Sequence, residues 1–314
     1  MFFSTIKQHF FNIITIFQNS KFRYVIYGLG FCHFSYYVFR FFRLFYKSIL
    51  RQGKHLSERY GFNSWVLITG NIAGVGEEFC WEFARMGFNI CMISKNNYKL
   101  VRLSHQIKAQ CPSIQTRIVT ANFDESLNED FFKKIDGQIE DLDISILINN
   151  VGLSKRCLPF EENSDEDLKG VLILNCFPIV FMTKRILQKM LVRKQKSAII
   201  NLSSQEWHFP GRSPLYCASR AFEDMFAESL TNEFNEKIDF LSYTPLYLSN
   251  SQHKYNHNSF WNIDPSKGVN ACLKEIGYER KTYGHWKHKL ISRWMEMLND
   301  NGRRTYIKKI GVEN

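Results

Sequence analysis

Tyr216 and Arg220, in the run Tyr216-Cys217-Ala218-Ser219-Arg220, place a phenol and a permanent cation on one face of a helix. Such a pair is suited to proton transfer. A phenol with its unperturbed pKa of ~10 exchanges protons too reluctantly near neutrality, and a fixed positive charge favours the phenolate, each unit of lowering being worth ~1.4 kcal/mol. A guanidinium is planar and releases no proton at accessible pH, so it tunes the phenol without relaying protons. Upstream stands a glycine-rich turn, Thr69-Gly70-Asn71-Ile72-Ala73-Gly74-Val75-Gly76. Between a strand and a helix, such a turn lets backbone approach a pyrophosphate, whose charge meets the helix N-terminus. Hydride from a bound dinucleotide and a proton from Tyr216 are the two components needed to reduce a carbonyl.

The elements that must position these groups follow from the hydrophobic pattern. From Tyr60 onward, apolar runs alternate with helix-length amphipathic stretches, which predicts an α/β fold with a doubly wound parallel sheet. Strands are expected at 65–69, 88–93, 116–121, 144–149, 198–202 and 240–244. Helices are expected at 74–86, 97–110, 126–139, 164–193 and 213–236. The glycine turn then directly follows the first strand, and Tyr216 and Arg220 lie on the helix after the fifth. The second strand ends Ile93-Ser94-Lys95 without the carboxylate that would bind ribose hydroxyls, and its lysine favours a 2′-phosphate. The expected cofactor is therefore NADP(H).

Charge is distributed unevenly. The net charge is +11, yet residues 1–57 contain eight of the 41 lysines and arginines, no acidic residue and 17 of the 48 aromatic residues. The remainder is nearly balanced, which argues against a nucleic-acid-binding surface. Between Arg23 and Arg40 lie 16 uncharged residues, a stretch that snorkelling arginines could extend through Tyr46. A retained membrane anchor, a helix lying in the interface and a helix packed on the protein are all compatible with it. Arg40, Arg43, Lys47, Arg51 and Lys54 after this stretch outnumber Lys21 and Arg23 before it, which for a spanning anchor places the folded domain in the cytoplasm. The eight cysteines (32, 80, 91, 111, 157, 176, 217, 272) show neither Cys-x-x-Cys nor ligand-like histidine spacing, so buried thiols are expected rather than disulfides or a metal site.

Thr69 to Gly76, Asn149-Asn150-Val151-Gly152-Leu153-Ser154, Asn201-Leu202-Ser203-Ser204 and the Tyr216 segment together resemble the short-chain dehydrogenase/reductase superfamily. Asn-Asn-Val-Gly, the Ile-Ser-basic strand end and the apolar N-terminus are similar to its membrane-bound branch. That branch contains very-long-chain 3-oxoacyl-CoA reductases, 17β-hydroxysteroid dehydrogenases and hydroxysteroid dehydrogenase-like proteins. The resemblance implies a Rossmann-type domain, a lipophilic keto or hydroxy substrate, an endoplasmic reticulum membrane location and a homodimer built on helices 164–193 and 213–236. It also implies roles. Tyr216 is the acid/base, Ser204 polarises the carbonyl, with Ser203 its rival, and Asn175 holds a proton-relay water. Asn149, Asn150 and Gly152 border the nicotinamide half; Thr69, Gly70, Asn71, Gly74, Val75 and Gly76 the pyrophosphate; Lys95 and Asn122 the adenosine; Pro245 precedes the carboxamide contact.

Three positions depart from the family pattern. Arg220 stands where a lysine both binds the nicotinamide ribose and passes a proton through water. Asn122 replaces an adenine-contacting aspartate, and Asn250 a carboxamide-binding threonine. Two expectations follow: an oxidoreductase interconverting keto and hydroxy groups on a steroid or long-chain 3-oxoacyl-CoA, with reduced turnover, or an inactive relative that still binds NADP(H). The expected organisation is an anchor over 1–57, a catalytic domain over 58–250 and a substrate lid over 251–314. In the lid Phe260, Trp261, Trp286, Trp294 and Met295 line an apolar pocket, contact lipid or simply pack. His253, His257, His285 and His288 are expected at the surface.

Overall fold

Runs such as Trp65-Val66-Leu67-Ile68 and Asn89-Ile90-Cys91-Met92-Ile93 are apolar on both faces, the composition of strands covered by helices on each side. In the computed structural model they do form such a sheet. The structure describes residues 20–70, 74–153, 160–205, 213–246, 248, 260–299, 301–303 and 305. The chain divides into two compact units, Met1–Arg51 and Gln52–Asn314. The expected boundary at 57/58 falls inside a short helix, Leu56–Tyr60, whose Leu56 and Tyr60 are buried in the core of the larger unit.

In the first unit, α1 (Ser20–Phe45) continues into a π-helical turn, Tyr46–Leu50. At 26 residues α1 is long enough to span a bilayer, and it exposes Tyr24, Tyr27, Phe31, Phe34 and Phe39. Its charged residues and tyrosines hold its hydropathy down. Among the described residues, the single helix both long and apolar enough to cross a membrane is Asp165–Leu191, and that one is a core helix of the second unit.

The second unit opens with α2 (Leu56–Tyr60) and then alternates strictly. It runs β1 (Trp65–Gly70), α3 (Val75–Arg85), β2 (Asn89–Ser94), α4 (Asn97–Gln110), β3 (Thr116–Thr120), α5 (Phe131–Ile139), β4 (Ile144–Asn150), α6 (Asp165–Leu191), β5 (Ser197–Leu202), α7 (Pro214–Phe234) and β6 (Ile238–Tyr243). All six expected strands form, within two residues of the predicted ends. The helix expected from 126 starts only at Phe131, because Phe123–Glu125 forms a 3₁₀ turn capped by Asn122. The remaining elements are α8 (Pro265–Leu273), a two-residue β7 (Lys281–Thr282), which the sequence pattern did not show, and α9 (Trp286–Met297).

The seven strands are parallel in the order β3-β2-β1-β4-β5-β6-β7. Strand order reverses between β1 and β4, and in such sheets the crevice at the carboxyl ends of the two strands receives the ligand. Alternate residues feed two cores. Val66, Ile68, Ile90 and Ile148 pack with Phe79, Phe83 and Leu100 on one face; Leu67, Ile93 and Leu147 pack with Ile135, Met182 and Ile186 on the other. At the amino ends of the strands, Arg59 donates to both oxygens of Asp239 at 2.6 and 3.0 Å, and the Tyr60 hydroxyl donates to Asp239 at 2.8 Å, fixing α2 to β6.

Cys80, Cys91, Cys217 and Cys272 are buried as expected, whereas Cys32 on α1 is exposed; the described cysteines are all free thiols. Cys157 lies outside the described residues.

Candidate active site

Thr69, Asn149, Asn201 and Ser242 stand side by side across the carboxyl edge of the sheet. Thr69 Oγ1 donates to the Ile148 carbonyl at 3.2 Å and accepts the Asn150 amide at 3.3 Å, while Asn150 Nδ2 donates to the Thr69 carbonyl at 3.1 Å. These bonds lock β1 to β4 where the strand order reverses. Asn149 Nδ2 donates to Thr183 Oγ1 at 3.0 Å and to Asn201 Oδ1 at 2.9 Å. The chain leaves β1 through Gly70 at φ +95°, where a side chain would place its Cβ 2.6 Å from the Val151 Cα. Only glycine fits there, by backbone conformation and by space. Gly74 then caps α3, with Val75 and Gly76 in its first turn, so free amides and the positive end of the helix dipole face the crevice. The glycines on either side of this turn and the helix N-terminus that follows it fit a dinucleotide pyrophosphate. Asn71 lies outside the described residues.

Three of the residues expected in catalysis, Asn175, Tyr216 and Arg220, gather at the loop after β4. Asn175, buried on α6, accepts the Leu153 amide at 2.7 Å, and its Nδ2 donates to Leu153 O at 3.3 Å and Ser219 Oγ at 2.8 Å. Ser219 in turn donates to the Tyr216 carbonyl at 2.8 Å. Asn175 thus joins the loop after β4 to the helical turn that carries Tyr216. Ser203 Oγ donates to the Arg220 carbonyl at 2.9 Å, which commits the hydroxyl of Ser203 to the α7 backbone. Ser204, next along the chain, is largely buried.

Arg220 is the surprise. Its guanidinium carbon lies 5.0 Å from the Tyr216 ring centre, so the two residues share a helix face as the i, i+4 spacing predicts. Its Nη1 donates to both carboxylate oxygens of Glu223 at 2.8 Å and to the Leu202 carbonyl at 3.1 Å. Both side chains of the pair are buried. Burial pulls the guanidinium towards the neutral form, but Glu223 and Tyr216 outweigh it and raise its pKa. Burial also lifts the Glu223 carboxyl, to about 7, against the opposing pull of Arg220. Sequence reading did not single out Glu223. Its signal was available: a carboxylate three residues after Arg220 on a helix face that otherwise packs inward.

The family model described as short chain dehydrogenase matches residues 64–259. The chain belongs to that family. Its curated relatives place this short-chain dehydrogenase in the branch of the very-long-chain 3-oxoacyl-CoA reductases. The enzyme so named from Emericella nidulans is 28% identical over 304 residues, covering 88% of this chain and 87% of the relative. That from Coccidioides immitis is 30% identical, covering 80% and 74%, and that from Homo sapiens 27% identical, covering 79% and 84%. Among solved structures, a 7β-hydroxysteroid dehydrogenase superposes with a TM-score of 0.72 at 20% identity, over 81% of this chain and 99% of that one. A short-chain dehydrogenase from Sphingobium yanoikuyae in complex with NADPH gives 0.65 at 19%, over 78% and 95%. At those identities the structures attest the shared fold.

At the carboxyl end of β2, Lys95 and Asn122 have a partner that the sequence did not show. Lys95 is exposed and pairs with Asp124 at 3.0 Å. Asn122 caps the same turn by accepting the Asp124 amide at 3.4 Å. A carboxylate absent from the end of β2 is therefore supplied from the loop after β3.

The segments beyond β6 are held by buried polar groups that sequence reading missed. Pro245 is buried, and its carbonyl accepts the Gln205 amide at 3.1 Å. Gln205 Nε2 also donates to Ser292 on α9. His288 is fully buried, which corrects its expected surface position: Nδ1 accepts the Leu246 amide at 3.4 Å, so Nε2 carries the proton and donates to Trp261 O at 3.2 Å. One imidazole thus joins the chain leaving β6 to Trp261. His285 is partly buried and caps α9. Met295 is buried with Ile291, against Leu246 and Trp261, whereas Phe260, Trp286 and Trp294 are exposed. Asn250, His253 and His257 lie outside the described residues.

Proposed function

We propose that this short-chain dehydrogenase is a membrane-associated, NADP(H)-dependent oxidoreductase interconverting keto and hydroxy groups on a lipophilic substrate, a long-chain 3-oxoacyl-CoA or a steroid. One observation carries the reading: Tyr216, bearing a cation on its own helix face, is tied through Ser219 and Asn175 to the loop bordering the cradle at β1 and β4. In this reading Thr69, Gly70, Gly74, Val75 and Gly76 hold the pyrophosphate, and Asn149, Asn150 and Gly152 border the nicotinamide. The bound coenzyme supplies the hydride. Tyr216 supplies the proton, Ser204 polarises the carbonyl and Asn175 holds the loop and a relay water. The names of the curated relatives support an acyl-CoA substrate. Lys95 at the end of β2 supports the 2′-phosphate, and the exposed aromatic surface of α1 with its flanking arginines supports attachment to the endoplasmic reticulum membrane, the domain on the cytoplasmic side. Phe222 and Met225, exposed on α7, support a homodimer.

The test is coenzyme oxidation by detergent-purified protein with NADPH or NADH against 3-oxoacyl-CoAs and steroid ketones. Turnover with NADPH that is lost in Tyr216→Phe is expected; absence of turnover with every substrate overturns the reading. A second reading, an inactive protein that binds NADP(H), is favoured by the engagement of Arg220 with Glu223. Thermal stabilisation by NADPH without turnover would establish it.

A further inference from the structure

We infer that Glu223 is a positioning residue for Tyr216, acting through Arg220, so that Arg220 and Glu223 together replace the single cation the family places at position 220. The inference rests on the reading of Tyr216 as the acid/base.

The geometry points to a unit rather than two separate changes. Arg220 Nη1 spends its hydrogens on Glu223 and the Leu202 carbonyl, and the guanidinium carbon lies 5.0 Å from the centre of the Tyr216 ring. Phenol ring, guanidinium and carboxylate therefore follow one another on one helix face, the guanidinium held by the carboxylate and by the Leu202 carbonyl. A buried arginine without a counter-ion is strongly unfavourable, which accounts for a carboxylate one turn away with a side chain only 2% exposed. Tight space adds to the fixation. A Cβ on Gly152 would fall 3.0 Å from both Cζ and Nη1 of Arg220, so the fork is wedged beneath the loop after β4.

The charge consequence follows. An ionised Glu223 offsets the positive charge that should favour the phenolate, whereas a protonated Glu223 leaves it uncompensated. Among the described residues, the charged or titratable groups that act on Glu223 are Arg220 and Asp224 on its own helix and Cys176 on α6, with Ser203 beside it at the end of β5. Asp224 is itself paired with Lys281 at 2.7 Å. Glu223, its pKa raised to about 7 by burial, is therefore a group whose titration near neutral pH changes the field at Tyr216. A lysine placed alone at position 220 would meet the same carboxylate, so Arg220→Lys by itself does not restore the family arrangement.

The experiment titrates the Tyr216 phenol by ultraviolet difference spectroscopy against Tyr216→Phe, in detergent-solubilised full-length protein, and needs no substrate. Glu223→Gln is expected to lower the ionisation of this phenol by about one pH unit and Arg220→Gln to raise it by about as much. Arg220→Gln/Glu223→Gln, neutral at both positions, is expected close to the wild type. In turnover assays, Arg220→Lys/Glu223→Gln should exceed Arg220→Lys at least tenfold. An unmoved phenol titration in Glu223→Gln overturns the inference, as does turnover that is measurable but equal in Arg220→Lys and the double variant. Should Glu223→Gln fail to fold, the difference between Arg220→Gln and Arg220→Gln/Glu223→Gln reads the same interaction. Silence of all variants on every substrate, with the phenol still responding, defeats the enzymatic reading and leaves the positioning role standing.

Discussion

Gly152 and Arg220 are in direct contact across the site: no side chain larger than hydrogen fits at 152 while the guanidinium occupies its present place. The contact packs the loop after β4 closely against α7. Gly152→Ala is therefore expected to displace either the loop or the arginine, destabilising the protein by about 1–3 kcal/mol. The shorter, narrower side chain in Gly152→Ala/Arg220→Lys should recover most of that loss. Urea unfolding of the four proteins measures it, and additive effects would show that the two residues do not touch.

Tyr216→Phe keeps the ring over Arg220 and removes the proton. Turnover should fall by about 10²–10⁴-fold while NADPH binding stays within a factor of a few. Steady-state kinetics beside coenzyme-induced thermal shift separates the two effects.

Asn175→Ala should be among the most damaging changes near the site. It removes three hydrogen bonds and leaves the partly buried Leu153 amide and the buried Ser219 hydroxyl each short of one partner. A loss of about 2–4 kcal/mol in stability is expected, together with faster amide exchange at Leu153. An Asn175→Asp variant retains the acceptor for the Leu153 amide and should protect that amide better than alanine.

Coenzyme choice should respond to two residues. Lys95→Ala is expected to weaken NADPH by about tenfold relative to NADH, the loss of one exposed charge contact to a phosphate at low salt. Asp124→Asn frees Lys95 from its present partner and should strengthen NADPH a few-fold. Isothermal titration with each coenzyme decides it; equal effects on NADH and NADPH would remove Lys95 from 2′-phosphate recognition.

Two carboxylates give stability opposite pH dependences. Burial works against ionisation of Asp239, yet Arg59 and Tyr60 more than compensate and hold its pKa below the ordinary range. Its contribution is therefore present above the unfolded value and is lost as pH falls through the folded one. Glu223 is raised by burial to about 7, so its contribution is complete below its unfolded value and is lost as pH rises through 7. Urea midpoints followed against pH should decline between about 4.5 and 7 in the wild type, and this slope should be absent in Glu223→Gln. Asp239→Asn should flatten the acid limb instead.

The sequence by itself determined the parallel sheet, its strand positions, the glycine cradle and the helix face shared by Tyr216 and Arg220. Each is a local property: strand and helix periodicity, a turn that only glycine can make, and the 3.6-residue helical repeat. The tertiary structure alone decided what these residues meet. Glu223 became the partner of Arg220 because both turn into a space too dry for a lone charge. Asp124 reached Lys95 from 29 positions away, and His288 came to rest fully buried between Leu246 and Trp261. A residue type states which charge or hydrogen bond a side chain can offer; burial and proximity across the fold decide which of those offers is taken up.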